Sequence, residues 1–158
     1  GLALARYVLD HPGSVAGKRV LDIASGSGLA AIAAAKAGAA LIAAADIDPF
    51  AAAAIGLNAA LNRVAVDIVT RDLLDELPPA PDVLLAGDVC YERPMAERAI
   101  ALLRRCAAQG GLVLLGDPGR SYLPTHGLVE RARYTVPVSR EVEDRDTRDG
   151  VVYQVLPG

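Results

Sequence analysis

Apolar positions in this chain fall into short continuous runs, separated by turn residues and by longer stretches whose apolar residues recur at helical spacing. Val20, Leu21 and Ile23 suit a strand covered on both faces, and further runs of this kind occupy Ala40 to Asp46, Val66 to Thr70, Asp82 to Asp88 and Leu112 to Gly116. Between them the pattern predicts helices from about Gly28 to Ala37, from Asp48-Pro49 to about Leu61, and from Pro94 to about Ala108. The last has a stripe of Met95, Ala99, Leu102, Leu103 and Cys106 opposite Glu97, Arg98, Arg104 and Arg105. A first helix over Leu2 to Leu9 is stopped by His11-Pro12-Gly13. Pro78 to Pro81 reads as a rigid connection, and Tyr122 to Glu130 as one or two helical turns. Tyr134 to Val142 and Val151 to Leu156 flank the charged residues Glu143 to Gly150 and predict an antiparallel hairpin. The expected fold is α/β: one domain over residues 1–158, a Rossmann-like, seven-stranded, mostly parallel sheet with helices on both faces and a C-terminal antiparallel hairpin.

Composition narrows the classes without choosing among them. A chain of 158 residues with 53% hydrophobic content can bury a substantial core. Much of that content is Ala, which favours helices packed close to the sheet. Lys36 and Gly38 interrupt the Ala-rich stretch from Leu29 to Ala45, so a helix followed by a strand is expected there rather than a membrane span. The net charge is only −3, and the arginines from Arg131 onward alternate with acids, so neither nucleic acid nor membrane is an expected partner. Cys90 and Cys106 lack metal-ligand spacing, and with only His11 and His126 beside them no metal is expected.

Chemistry concentrates in the stretch from Val20 to Ala31. Gly26-x-Gly28-x-x-Ala31 follows a strand and opens a helix, which is the loose fingerprint of a nucleotide-binding turn. The carboxylates then discriminate between ligands. Asp22, Asp46, Asp72, Asp88 and Asp117 lie at or just beyond the ends of the five successive strands. In a parallel sheet those ends face one crevice, so five acids are expected to ring one pocket. Such a pocket repels a pyrophosphate and attracts a sulfonium and an α-ammonium. S-adenosyl-L-methionine (SAM), leaving as S-adenosyl-L-homocysteine, is the ligand with those charges. Asp22 is expected at its ammonium, Ala24, Gly26 and Gly28 at close backbone approach, Asp46 on the ribose diol and Ile47 on the adenine face. Asp72 is expected either at the adenine amino edge or simply capping its own turn.

The strand-DIASGSG sequence, the acidic end of strand two and Asp88 after strand four together resemble a class I SAM-dependent methyltransferase. Ala45-Asp46-Ile47-Asp48-Pro49, Leu57-Asn58-x-x-Leu61-Asn62, Gly87-Asp88-Val89-Cys90-Tyr91 and Gly116-Asp117-Pro118-Gly119-Arg120 more narrowly resemble the electron transfer flavoprotein β-subunit lysine methyltransferase group and its bacterial relatives. That group carries Asp/Glu-x-x-Tyr/Phe after strand four, matched here by Asp88 and Tyr91. The resemblance implies a protein lysine as acceptor, and the electron transfer flavoprotein β subunit as partner. It also implies an upstream segment with aromatic and glycine residues outside residues 1–158. The expected location is the bacterial cytoplasm, or the mitochondrial matrix in a eukaryote.

Asp88 is expected to orient the acceptor amine and to contact the cofactor, while Tyr91 offers a ring face to the growing methylammonium. Glu92, Asp117 and Arg120 are candidates for substrate binding, with a structural turn and ion pair as the other reading of the last two. A small-molecule, nicotinamide-type N-methyltransferase remains an alternative, to be distinguished by a closed pocket. A nicotinamide-dependent oxidoreductase is disfavoured by Asp22 and by the lack of a Tyr-x-x-x-Lys pair; a SAM-binding module without catalysis would be expected to lack Asp88.

Overall fold

The computed structural model describes residues 1–74, 80–137 and 147–158. Five parallel strands form its centre: β1 (Arg19–Ile23), β2 (Leu41–Ala45), β3 (Asp67–Val69), β4 (Val83–Gly87) and β5 (Leu112–Asp117). A hairpin of β6 (Leu128–Pro137) and β7 (Thr147–Val155) joins antiparallel, giving the order β3-β2-β1-β4-β5-β7-β6. Strand order reverses between β1 and β4, and these neighbours pair in parallel from Val20↔Val83 to Ile23↔Ala86. Ligands of open α/β sheets bind beyond the strand ends at such a switch point.

Side-chain alternation divides the core into two layers. Val20, Val83, Leu85 and Leu114 face α1 (Leu2–Asp10), α2 (Leu29–Lys36) and Ile55 of α3 (Pro49–Leu61). Leu21, Ile23, Leu84 and Leu115 face α4 (Arg93–Ala108) and Leu73-Leu74. The Ala-rich α2 buries Ala30, Ala31, Ile32, Ala33 and Ala34, so small side chains do bring this helix close to the strands. In α3 the Asp48 carboxylate caps the first turn by accepting from Phe50 N–H at 2.9 Å, with Pro49 in the first helical position.

Three expectations are corrected by the structure. Residues 122–127 form turns and bends, not helical turns, because Pro124 and Gly127 (φ 75°) interrupt any run of helical backbone. Strand β6 starts at Leu128 rather than Tyr134, because the edge strand of a sheet tolerates charge on its solvent side, and β7 starts at Thr147 rather than Val151, its residues 147–150 pairing with β6 but not with β5. Strand β3 is limited to Asp67–Val69. The Pro78-Pro79 part of the predicted connection and residues 138–146 of the hairpin lie outside the described residues.

Gly28 is the N-cap of α2 at φ 83°, and a Cβ there would meet Ile55 Cγ1 and Cγ2 at 3.2 Å. Gly110 also has positive φ (92°), but a Cβ there meets nothing within 4 Å. Gly28→Ala therefore combines backbone strain with a core clash and is expected to lose about 2 kcal/mol or more, against about 1 kcal/mol for Gly110→Ala. Urea unfolding of the two variants checks this; equal losses would mean that the Ile55 contact yields freely.

Candidate active site

Backbone hydrogen bonds fix the rim strand by strand. Ser25 N–H donates to Ala45 O at 3.0 Å, Asp46 N–H to Val69 O at 2.9 Å and Asp88 N–H to Gly116 O at 2.8 Å, so each chain leaving a strand is tied to its neighbour. Just past β1 and β4, Ala24 (φ 50°) and Asp88 (φ 52°) adopt the left-handed conformation, which costs a residue with a Cβ about 1–2 kcal/mol. Both line the same cavity, of about 460 Å³.

That cavity is lined by Ile23, Ala24 and Gly87 from the strand ends, by Asp46, Ile47, Asp72 and Leu73 from the loops after β2 and β3, and by Tyr91, Glu92, Met95 and Arg98 from the segment after β4. A second hollow of about 340 Å³ lies over the glycine turn, lined by Asp22, Ser25, Gly26, Ser27 and Leu29 and sharing Ala24 and Gly87 with the first. Together they make a bent trough across the switch point, within the size range of small-molecule sites. Its mouth is open: Ile47 is 67% and Tyr91 55% exposed.

Asp22 is 2% exposed and accepts a 2.6 Å hydrogen bond from Ser25 Oγ. Burial pushes its carboxyl up to about 6, although the Ser25 hydroxyl and the Ala31 N–H favour the charged form. A buried carboxylate beside an open hollow is suited to a cationic ligand group. Asp46 accepts from Gly26 N–H at 2.9 Å through Oδ2 and from Asp48 N–H at 3.0 Å through Oδ1, stapling the glycine turn to the end of β2. Each oxygen retains a lone pair for a diol hydroxyl. Asn58 Nδ2 donates to Ser27 O at 2.9 Å, so α3 also holds the turn.

Asp72 closes its own turn by accepting from Leu74 N–H at 2.9 Å, and it accepts from Arg98 Nη2 at 2.7 Å. The Arg98 hydrogen bond, then that of Leu74, holds its carboxyl below the usual range. Asp72 thus combines the capping role with a place on the cavity wall.

Asp88 takes both its oxygens to Arg120: Nε lies 2.9 Å from Oδ1 and Nη2 3.0 Å from Oδ2. Asp117, only 2% exposed, accepts through Oδ2 from Gly119 N–H at 2.7 Å and Arg120 N–H at 2.8 Å. It lines neither part of the trough. The expectation of five acids around one pocket is therefore corrected: Asp46, Asp72 and Asp88 line the larger cavity, Asp22 the adjoining hollow, and Asp117 is consumed in fixing a turn. Arg71 and Arg98 also line the larger cavity, which is less uniformly acidic than the carboxylates alone imply.

The family described as "Ribosomal protein L11 methyltransferase (PrmA)" matches residues 6–90, a span that contains the glycine turn, Asp46, Asp72 and Asp88. The chain belongs to this family. Among curated proteins, the electron transfer flavoprotein beta subunit lysine methyltransferase of Rattus norvegicus is 38% identical over 163 residues, covering 99% of this chain and 64% of that protein. The ribosomal protein L11 methyltransferase of Geobacter sulfurreducens is 39% identical over 126 residues, covering 79% of this chain and 41% of its own length. The chain thus spans less than two thirds of the curated relatives it matches. In fold, it superposes on magnesium protoporphyrin IX methyltransferase from Synechocystis, solved with bound SAM, with a TM-score of 0.70 at 19% identity over 98% of this chain and 76% of that one.

Within this PrmA-family site the predicted residues Asp22, Ala24, Gly26, Asp46, Ile47, Asp72, Asp88, Tyr91 and Glu92 all line the trough. Gly28 lies behind it, capping α2. Sequence reasoning missed Met95, Arg98 and Arg71 as lining residues. Helical spacing assigns Met95 to the core stripe and Arg98 to the solvated face, yet both reach the cavity because α4 starts directly at its rim. Cys90 is fully buried, and burial first, then Asp117 and Asp88, pushes its thiol up to about 12, so it is no nucleophile at neutral pH. Among the described residues no group of three or more His, Cys, Asp or Glu side chains could hold a metal ion, and no helix is long and apolar enough to cross a membrane.

Proposed function

We propose that this chain carries the active site of a SAM-dependent methyltransferase whose acceptor is a lysine ε-amine of a protein, the electron transfer flavoprotein β subunit. The observation that carries this reading is identity of 38% along 99% of the chain with relatives named for that reaction, against 79% coverage for those named for ribosomal protein L11. The open mouth supports it: a long side chain on a protein surface can enter past Tyr91 and Glu92, whereas a free small amine calls for enclosure.

The residues fit the cofactor. When bound, SAM supplies a methyl carbon on a sulfonium and leaves as S-adenosyl-L-homocysteine. Asp22 would face its ammonium, Asp46 its ribose diol and Ile47 one face of its adenine. Asp88, oriented by the two-point Arg120 fork, would accept an N–H from the acceptor amine. Tyr91 would present its ring to the positive charge that develops on nitrogen. Transfer joins nitrogen to carbon and returns the carbon–sulfur electron pair to sulfur, so the protein contributes mainly placement.

Labelled methyl transfer from SAM by the full-length protein separates the readings. Recombinant electron transfer flavoprotein, ribosomal protein L11 and a panel of small amines including nicotinamide serve as acceptors. Label on the flavoprotein β subunit is expected; label only on L11 or only on a small amine would reassign the acceptor.

A further inference from the structure

We infer that Arg120 is a positioning residue that keeps the Asp88 carboxylate neutralised, so that the site receives the acceptor lysine as a neutral amine rather than as an ammonium ion. This rests on the lysine-methyltransferase reading above and assigns Arg120 a role distinct from holding substrate directly.

The geometry is built from the strands upward. Gly87 of β4 and Gly116 of β5 are register partners, and Asp88 N–H continues the ladder onto Gly116 O. The chains then diverge, Asp88 in the left-handed conformation and Asp117 into a Pro-Gly turn. Asp117 Oδ2 gathers the Gly119 and Arg120 amides, which fixes where the Arg120 side chain begins. From there the guanidinium reaches back and meets Asp88 as a two-point fork. Three residues on two adjacent strand ends are thus committed to one carboxylate orientation, and the fork geometry is one that a lysine ammonium cannot reproduce.

The consequence for the acceptor is electrostatic. A lysine amine has a reference pKa of about 10.4 and is almost wholly protonated at neutral pH, when its lone pair is unavailable for attack. An unpaired Asp88 would bind the ammonium and hold it protonated. Paired with Arg120, Asp88 presents the incoming nitrogen with an ion pair whose own net charge is close to zero. The ammonium then gives its proton to solvent more readily, and the neutral amine attacks. Among the described residues, the other charged or titratable groups lining the two hollows include Asp22 from β1, Asp46 beyond β2, Arg71 and Asp72 beyond β3, Tyr91 and Glu92 before α4, and Arg98 in α4. The buried Cys90 thiol lies within the electrostatic reach of both Asp117 and Asp88. Asp72 and Arg98 cancel each other as an ion pair. Arg120 is joined to Asp88 directly.

The test compares full-length wild type, Arg120→Gln and Arg120→Lys for kcat and KM on the methylated protein substrate from pH 6.5 to 10, with SAM binding measured alongside. For Arg120→Gln we expect kcat at pH 7.5 to fall about tenfold with KM unchanged or lower, and the rising limb of the kcat–pH profile to move up by about one pH unit, as removal of a nearby positive charge requires. Arg120→Lys keeps the charge and is expected to recover most of that displacement while losing the two-point geometry. An unmoved limb in Arg120→Gln, with SAM binding intact, overturns the inference; if that variant does not fold, a limb in Arg120→Lys displaced by a full unit does the same. Absence of transfer by the wild type to any amine would overturn the functional reading itself, and is seen before any variant is compared.

Discussion

Asp88→Asn is expected to lower kcat/KM for methyl transfer by about a hundredfold while changing SAM affinity by no more than a few fold. Asparagine tolerates the left-handed backbone that Asp88 adopts (φ 52°), so the substitution preserves the fold of the β4 end better than alanine would. It retains one acceptor oxygen but removes the charge, and with it the two-point grip of Arg120. Two effects then act together. The carboxamide rotates freely enough to misplace the acceptor nitrogen, and small errors of placement alone can cost about a hundredfold in a positioned reaction. The released guanidinium also leaves a net positive charge where the amine must develop one. Initial rates at varied SAM and acceptor, with SAM affinity from calorimetry, check the prediction. A loss confined to SAM affinity would instead mean that Asp88 serves the cofactor alone.

Asp22 governs the second large effect, on stability and binding as a function of pH. Its carboxyl is raised to about 6 in the folded chain from an ordinary 3.8, chiefly by burial. A folded-state pKa above the unfolded value means that the native protein binds more protons between those two values, so ionised Asp22 destabilises the ligand-free fold. Its penalty is absent below about pH 4, grows through the window between 3.8 and about 6, and is complete above it, at about 3 kcal/mol from the two-unit shift. Asp22→Asn removes that penalty. The stability difference between variant and wild type should therefore shift by about 3 kcal/mol in favour of the variant on going from pH 4 to pH 7, read from urea unfolding at each pH. SAM affinity should move the opposite way: it falls about tenfold per pH unit below 6 in the wild type, where Asp22 is protonated, and is weak and nearly independent of pH in Asp22→Asn. A difference in stability that stays constant with pH would contradict the burial of a titrating carboxyl at this position.

The parts of this account legible in the sequence are those that local chemistry specifies. Asp48-Pro49 starts α3 because a capping carboxylate and a fixed φ suit a first turn, and Gly26 and Gly28 mark the turn after β1 because both take positive φ. The carboxylates Asp22, Asp46 and Asp88 are legible as site residues because strand ends in a parallel sheet share one side. What was not legible depends on register between distant segments. Arg120 meets Asp88 across 32 positions only because Gly87 and Gly116 are partners and Asp117 turns the chain back. Asp117 looks the same as its four counterparts in sequence, yet the Gly119 and Arg120 amides that it gathers make it a strut of its own turn. Ala24 gives no local sign that it leaves β1 in a left-handed conformation. The early start of β6 was hidden because an edge strand with one solvated side carries Glu130, Arg131 and Arg133 without cost to the core.

Site-resolved mass spectrometry reads the methyl acceptor directly. Electron transfer flavoprotein is incubated with SAM and either the full-length wild type or Asp88→Asn, and its β subunit is digested and sequenced. Methyl groups are expected on lysine ε-nitrogens of the β subunit with the wild type, and their near absence with the variant at equal time. An unmethylated β subunit in the wild-type reaction, with SAM shown to be bound, would contradict the proposed function.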